Sequence, residues 1–462
     1  MEMLIYLMPL VMFGVLAVVL FSGYPVAFIL GGVALFFAVL GDWAGVFRLD
    51  QIQLVPLRIY GGTMASLVLV AIPMFTFMGT MLEKSGVASD LLEALQVMLR
   101  RVPGGLALSV TLMGTIMAAT TGIIGASVVM MTLMALPVML KARYSIELAT
   151  GTIAASGTLG ILIPPSIMLV IMADLLSVPV GTVFIAAIIP GLLLSVLYAV
   201  YIFLLCRWKP HLAPPMADDI GPATRAEYWR MILRSFLPPI FLILAVLGSI
   251  FAGLATPTEA SGVGAAGSVL LAWFNKRLTW ETFKDVCYRS SLTGAMLFGI
   301  FVGATAFSYV FKAVGGEHLI VEFIQNSSVG PWSILFVLMA IVFLLGFFFD
   351  WIEITLIVLP IFAPIVALLD FGGHVGEWPG ISTPVVIWFL TLVAVNLQTS
   401  FLTPPFGFAL FYMKGVAPPE VKIQHIYRGI VPFVALQVLG LALCIVFPSL
   451  VLWLPSWALG GG

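Results

Sequence analysis

Charge is what this chain has least of. Asp, Glu, Lys and Arg together make up 9% of its 462 residues, against 62% hydrophobic residues. Long apolar runs recur along the whole length, which excludes a soluble core and predicts an all-α polytopic membrane protein. The net formal charge of −1 says nothing of partners by itself; the placement of charge does, and no nucleic-acid partner is expected. Cysteine is scarce as well: Cys206, Cys287 and Cys444 stand isolated, fit no metal spacing and read as packing residues. The four histidines, His211, His318, His374 and His425, fall in loops or at span ends, which argues against a proton relay or metal centre. No nucleophile–base pairing, nucleotide motif or filter sequence stands out, so neither an enzyme nor a channel is expected. The opening Met1-Glu2-Met3 carries no basic residue before the first apolar run, so a retained first span is expected, not a cleaved signal peptide.

What the chain does have is two apolar stretches interrupted by double prolines, Gly160-Ile161-Leu162-Ile163-Pro164-Pro165-Ser166 and Ser400-Phe401-Leu402-Thr403-Pro404-Pro405-Phe406. Proline removes a backbone donor and clashes with the preceding turn, so each stretch is expected to be two half-helices joined by unwound backbone. In a bilayer, unpaired peptide groups survive only where they line a protected polar site, and paired interrupted spans in two halves point to a carrier's binding site. Ten crossings are expected, near 3–22, 25–41, 67–83, 144–177 (broken), 180–206, 235–254, 257–274, 291–312, 382–413 (broken) and 423–452. Between them lie 103–140 and 331–370, interrupted by Thr120-Thr121-Gly122-Ile123-Ile124-Gly125-Ala126-Ser127 and by Phe349-Asp350-Trp351-Ile352-Glu353. Two readings stand for each, a re-entrant hairpin or a pair of thin crossings; the polar or glycine-rich tips favour the hairpin.

Alternating sides across these crossings puts seventeen of the twenty basic residues on one face and leaves only Arg48, Arg58 and Lys312 on the other. By the positive-inside rule the rich face is cytoplasmic and both termini lie on the far side. The same map shows an internal repeat: 1–206 and 235–462 each read span, span, arm, span, arm, hairpin, broken span, span. Residues 207–234, with Pro210, Pro214, Pro215, Asp218 and Asp219, form the cytoplasmic linker. Five crossings per half invert the second copy, so hairpin 103–140 enters from the cytoplasm and hairpin 331–370 from outside. Their tips can then meet the two unwound segments near the midplane.

Four local sequences carry a family resemblance when taken in order on this repeat: Leu162-Ile163-Pro164-Pro165-Ser166, Ile189-Pro190-Gly191, Ala255-Thr256-Pro257-Thr258-Glu259-Ala260 and Thr403-Pro404-Pro405-Phe406-Gly407. Over nearly its whole length the chain resembles the large membrane subunit of tripartite ATP-independent periplasmic (TRAP) transporters. That resemblance implies a sodium-coupled importer of organic acids in the bacterial inner membrane. It also implies a soluble periplasmic binding protein that delivers substrate, a separate small four-span membrane subunit, and alternating access by an elevator. A related sodium–carboxylate carrier that needs no binding protein is the alternative. Na+ is the expected coupling ion, with no other cofactor.

The site chemistry can be argued from the residues themselves. No lysine or arginine falls near the middle of a broken span or hairpin tip, so helix amino termini are expected to hold a carboxylate. This points to Pro165 and Ser166 in the first half and to Thr403, Pro405, Phe406 and Gly407 in the second. Sodium wants oxygen ligands, offered by hydroxyls and unwound carbonyls at Thr121, Gly122, Ser127, Ser156, Gly157, Thr158 and Pro164 on one side. On the other stand Asp350, Thr355, Asn396, Thr399, Thr403 and Pro404. The resemblance adds that a hairpin-tip carboxylate matching Asp350 and both proline segments contribute to sodium binding. Trp351-Ile352-Glu353 departs from the small hydroxyl residues more common in that family. Alternatives stay open at several positions. Ser127, Ser156 and Thr158 read equally as small packing residues, and Glu353 as an ion-site or a solvated carboxylate. Thr256-Pro257-Thr258-Glu259 has the form of a capping box. Trp351, Phe406 and Phe408 hint at a small 2-oxo or monocarboxylic acid over a sugar acid.

Overall fold

The computed structural model describes residues 6–460 except 122, 123, 216–220, 223, 317, 320, 321, 323–329, 348, 405 and 406, with side chains described for all of these but 119–121 and 364. No β-strand occurs among the described residues. The first half runs through α1 (Met8–Leu20), α2 (Val26–Trp43), α3 (Leu54–Ile59), α4 (Ala71–Lys84), α5 (Val87–Leu99), α6 (Gly105–Thr121), α7 (Ile124–Lys141), α8 (Ile146–Thr158), α9 (Ile167–Leu175) and α10 (Val180–Trp208). The second comprises α11 (Arg225–Phe251), α12 (Pro257–Phe274), α13 (Trp280–Ala313), α14 (Pro331–Leu345), α15 (Trp351–Ala367), α16 (Pro384–Leu402), α17 (Phe408–Val416), α18 (Ile423–Val446) and α19 (Ser449–Leu459).

Several of these helices are long and apolar enough to cross a bilayer: α2, α7, α10, α11, α13, α16 and α18, with a further bent pair, Leu49–Met64 and Val68–Lys84, meeting at 62°. Exposed Trp43, Trp208 and Trp280 stand at helix ends, where amphipathic rings suit a membrane–water boundary. The chain is an all-α polytopic membrane protein.

Packing is reciprocal between the halves. Helix α2 lies on α13 while α4 lies on α12; α7 meets α17 while α9 meets α15; α8 lies along α18 while α10 lies along α16. Each pair exchanges the same two positions of the repeat, as an inverted-topology fold requires. Helices in lipid gain no hydrophobic drive from meeting one another, so close backbone approach must hold them. A side chain at Gly303 of α13 would run into the Ala27 carbonyl of α2, and one at Gly151 of α8 into the Gly429 carbonyl of α18. The broken spans occupy the middle: α16 is 94% buried along its apolar window, whereas α11 is 28% buried and faces outward.

Three boundaries differ from the sequence expectation. The linker is shorter than 207–234, because a Thr224–Glu227 capping box starts α11 at Arg225. The arm before 291 is not separate, since Thr279 caps the Thr282 amide at 3.1 Å and α13 runs unbroken from Trp280. The span 67–83 is joined through a bend to the apolar segment before it. In the first two cases a polar residue at the right register sets a helix start that apolar periodicity alone does not mark.

Candidate functional site

Helix α8 closes with a 3-10 turn over Leu159–Ile161, and α9 restarts only at Ile167. Ser166, extended at φ −122° and ψ 130°, caps the restart. Its Oγ accepts from the Leu169 amide at 3.5 Å and donates to the Ile161 carbonyl at 2.5 Å, so one hydroxyl ties both sides of the break. Ser166 is fully buried with Pro164 and Pro165. The Ser166 hydroxyl, expected on the substrate, is thus bonded to the backbone, and the first amides of α9 follow it.

The second break is finished differently. Helix α16 ends at Leu402, and Thr403 Oγ1 donates to the Thr399 carbonyl at 2.7 Å. The Gly407 amide donates to the Thr403 carbonyl at 3.2 Å, and α17 starts at Phe408 with Gly407 at the cap position and no side-chain cap. Pro405 and Phe406 lie outside the described residues, as do Gly122 and the side chain of Thr121.

At the second hairpin, Asp350 caps α15 by accepting the Trp351 amide at 2.8 Å. The tip is seated on α16 by Asn396, whose Nδ2 donates to the Met339 carbonyl at 2.7 Å, and by Ser400, whose Oγ donates to the Phe343 carbonyl at 3.3 Å. At the first hairpin the Gly125 position abuts the Tyr412 ring of α17, which a Cβ there would meet at 3.1 Å.

These pieces converge on one cavity of about 350 Å³. Ile124, Gly125, Ala126 and Val129 line it from the first hairpin, Asp350, Trp351 and Ile352 from the second. Ile167 of α9 and Phe408 and Tyr412 of α17 close the inner wall; Glu83 of α4 and Arg289, Thr293, Met296 and Leu297 of α13 form the outer one. Both hairpin tips and both half-helices therefore share a single space. Glu353 faces elsewhere, into a small crevice with apolar Phe13, Leu16, Ala17 and Leu20 of α1, where its Oε2 has no partner.

The expected oxygen ligands divide by half. In the first, Ser156 Oγ donates to Thr111 Oγ1 at 3.4 Å and Thr158 Oγ1 to the Ala155 carbonyl at 2.9 Å; Gly157 packs against Val128. In the second, Thr355 Oγ1 and Thr399 Oγ1 are buried without a hydrogen-bond partner, and so are both amide atoms of Gln398. Buried polar atoms left unpaired cost about 1–3 kcal/mol each, so these atoms favour a bound water or ion. Thr355 and Thr399 sit on α15 and α16, which pack together. Such hydroxyls suit a hard monovalent cation, and no group of three His, Cys, Asp or Glu side chains occurs among the described residues.

Sequence reasoning missed Arg289, Tyr412 and Gln398. The four quoted motifs contain none of them, and only the i,i+4 spacing of Asp285 and Arg289 hinted at an ordered pair. Elsewhere the capping-box reading of Thr256 and Glu259 matches the geometry: the Thr256 amide donates to Glu259 Oε2 at 2.8 Å and the Glu259 amide to Thr256 Oγ1 at 3.3 Å. Asp174 accepts from Ser66 Oγ at 3.1 Å, tying the end of α9 to the bend before α4.

Comparison with known proteins gives a consistent picture. The family model described as "Tripartite ATP-independent periplasmic transporter, DctM component" matches residues 13–450. The C4-dicarboxylate TRAP transporter large permease protein DctM of Pseudomonas aeruginosa is 29% identical over 414 residues, 89% of this chain and 91% of the relative. The sialic acid TRAP transporter large permease protein SiaM of Vibrio cholerae is 26% identical over 444 residues, covering 96% and 97%. Among solved structures, the YdaH transporter of Alcanivorax borkumensis, described as having an unusual topology, superposes with a TM-score of 0.56 at 17% identity, over 88% of this chain and 89% of that one.

Proposed function

The chain belongs to the DctM component family of tripartite ATP-independent periplasmic transporters, and on that footing we propose that it is a sodium-coupled importer of organic acids. Substrate reaches it from a soluble periplasmic binding protein, and a separate small membrane subunit completes the complex. It resides in the bacterial inner membrane with both termini periplasmic. The two relatives described above are named for C4-dicarboxylates and sialic acid, both carboxylates, which supports an organic-acid cargo.

One observation carries the reading. A single cavity is walled on its inner side by both hairpin tips and both half-helices, and on its outer side by α4 and α13. An element that crosses as a unit must bring all four inner pieces past a fixed wall, which is the arrangement an elevator needs. Substrate carboxylate sits at the amide ends of α9 and α17, where helix dipoles favour negative charge. Sodium sits beside it. Asp350 and the unpartnered hydroxyls of Thr355 and Thr399 supply oxygens in the second half. In the first, where the Ser156 and Thr158 hydroxyls are already bonded within the protein, Ser127 and the carbonyls near Gly157 and Pro164 supply them. Thr403, Asn396 and Pro404 frame the second break. Coupling follows because the cation completes an anion site built without a cationic side chain on its inner wall.

The test is uptake of radiolabelled C4-dicarboxylates, sialic acid and 2-oxo acids into proteoliposomes under an inward sodium gradient. The chain is reconstituted with its small subunit, with and without the binding protein. Uptake that needs both sodium and the soluble protein is the expected result. Sodium-driven uptake of free substrate alone would place the chain with binding-protein-independent carriers. Asp350→Asn should abolish sodium-dependent uptake while the protein stays folded; uptake of unchanged sodium dependence in that variant would remove Asp350 from the site.

A further inference from the structure

The outer wall of the cavity carries an ionic arrangement that the sodium and half-helix roles do not use. Arg289 of α13 donates through Nε to Asp285 Oδ1 at 3.0 Å, one helical turn before it. The other oxygen of that carboxylate, Asp285 Oδ2, lies 3.1 Å from Lys84 Nζ at the end of α4. One carboxylate is thus shared by two cations from two helices. Among the described residues that line the cavity, Arg289 is the only cation; Asp350, Phe408 and Glu83, a carboxylate that interacts with Arg289, line it too. Its side chain is 57% exposed, against 38% for Asp285 and 35% for Lys84, and its terminal nitrogens have no hydrogen-bond partner among the described residues.

A shared carboxylate can release one cation without being stranded. Guanidinium is always charged, and its planar fork matches carboxylate and similar oxyanions in a two-bond geometry that an ammonium cannot offer. We propose that Arg289 is the anion-selecting residue of the cavity. An oxyanion group of the substrate, carboxylate or sulfonate, takes the Arg289 guanidinium in exchange for Asp285, which falls back on Lys84. Because Arg289 belongs to the outer wall, it greets the anion where the inner elements meet α13 and does not travel with it. This rests on the carrier reading only for calling the anion cargo.

The property can be read without transport. Thr293→Cys puts a thiol one turn from Arg289 in the cavity lining. Cys287→Ser removes the one native cysteine that is not buried. The purified chain in nanodiscs is reacted with sulfonatoethyl methanethiosulfonate, an anion, and with its trimethylammonium counterpart, and the ratio of the two rates is taken. One charge pulls the two reagents in opposite senses, so Arg289→Gln should lower the ratio about tenfold. Arg289→Lys, which keeps the charge, should stay near the parent ratio, and Asp285→Asn, which frees the guanidinium, should raise it. An unchanged ratio in Arg289→Gln, or a lower one in Asp285→Asn, overturns the proposal. Failure of sodium-driven uptake in the parent protein would count against the carrier reading alone, since the rate ratio needs no transport.

Discussion

In the first half the break closes on itself: Ser166 holds the Ile161 carbonyl and the Leu169 amide, and Ser156 and Thr158 have protein partners. In the second, α17 begins without a side-chain cap, and Thr355, Thr399 and Gln398 carry buried polar atoms with no partner. The halves share one plan, yet among the described residues the hydroxyls at the first break are bonded within the protein and several polar atoms near the second have no partner. Thr152, unpartnered on α8, is the first half's exception near the break, and it stands more than a turn before Thr158. The difference teaches that symmetry of fold does not give symmetry of chemistry. Two equivalent backbones come to differ in how a few hydroxyls are used.

The largest test of that contrast is sodium affinity. Removing the orphaned oxygens with Thr355→Ala and Thr399→Ala should raise the sodium concentration for half-maximal uptake about tenfold each, since a bond to a charged partner is worth ~1.5 kcal/mol or more. Ser156→Ala and Thr158→Ala should instead cost about 1 kcal/mol of stability with little change in sodium dependence. Equal sodium shifts from both pairs, read by titrating sodium in the uptake assay, would erase the asymmetry.

Next in size is the seating of each hairpin. A Cβ at Gly346 would fall on the Ser400 side chain, whereas one at Gly114 would meet Ser156 Cβ at 2.8 Å and the Met131 methyl at 3.0 Å. Gly346→Ala should lower stability by about 1–3 kcal/mol, and Gly114→Ala by less because its overlap with Ser156 is shallower. Thermal unfolding in detergent ranks them, and the reverse order would mean that the first hairpin is the tighter fit. A smaller effect comes from the caps. Ser166→Ala should cost about 1 kcal/mol, while Gly407→Ser, which offers the uncapped α17 a hydroxyl, should weaken substrate binding by competing for its amides. A Gly407→Ser protein with unaltered substrate affinity would show that those amides do not meet the anion.

Much of the plan was legible because proline and polar tips are strong signals in an apolar chain. The breaks at Pro164-Pro165 and Pro404-Pro405, the capping box at Thr256 and the inverted order of elements follow from them. Yet Pro238-Pro239 lies inside the continuous α11, so a double proline breaks a span only with help. Here that help is a serine able to cap the restart, or a glycine at the cap position. Other features depend on tertiary facing. The sequence names hydroxyls but does not say which are spent on the preceding turn: Thr391 and Thr403 each bond the carbonyl four residues back, whereas Thr399 does not. The span expected at 291–312 leaves Arg289 just outside it. Only the cap at Thr279 and the packing of α13 bring it to the cavity.

Gln398 sets the finest test, because it asks whether a buried unpartnered amide serves packing or binds a cation. It is fully buried on α16 and neither its oxygen nor its nitrogen has a partner. Replacing such an amide with a similar apolar side chain removes an unmet desolvation cost, so Gln398→Leu should leave stability unchanged or raise it by up to about 1 kcal/mol in sodium-free buffer. Sodium should then reverse the order. If the amide oxygen joins the bound cation, the parent protein gains thermal stability on sodium addition and Gln398→Leu gains less, since a ligand stabilises only the state that holds it. Identical sodium-induced shifts in the two proteins would assign Gln398 to packing and confine the second half's ion chemistry to Asp350, Thr355 and Thr399.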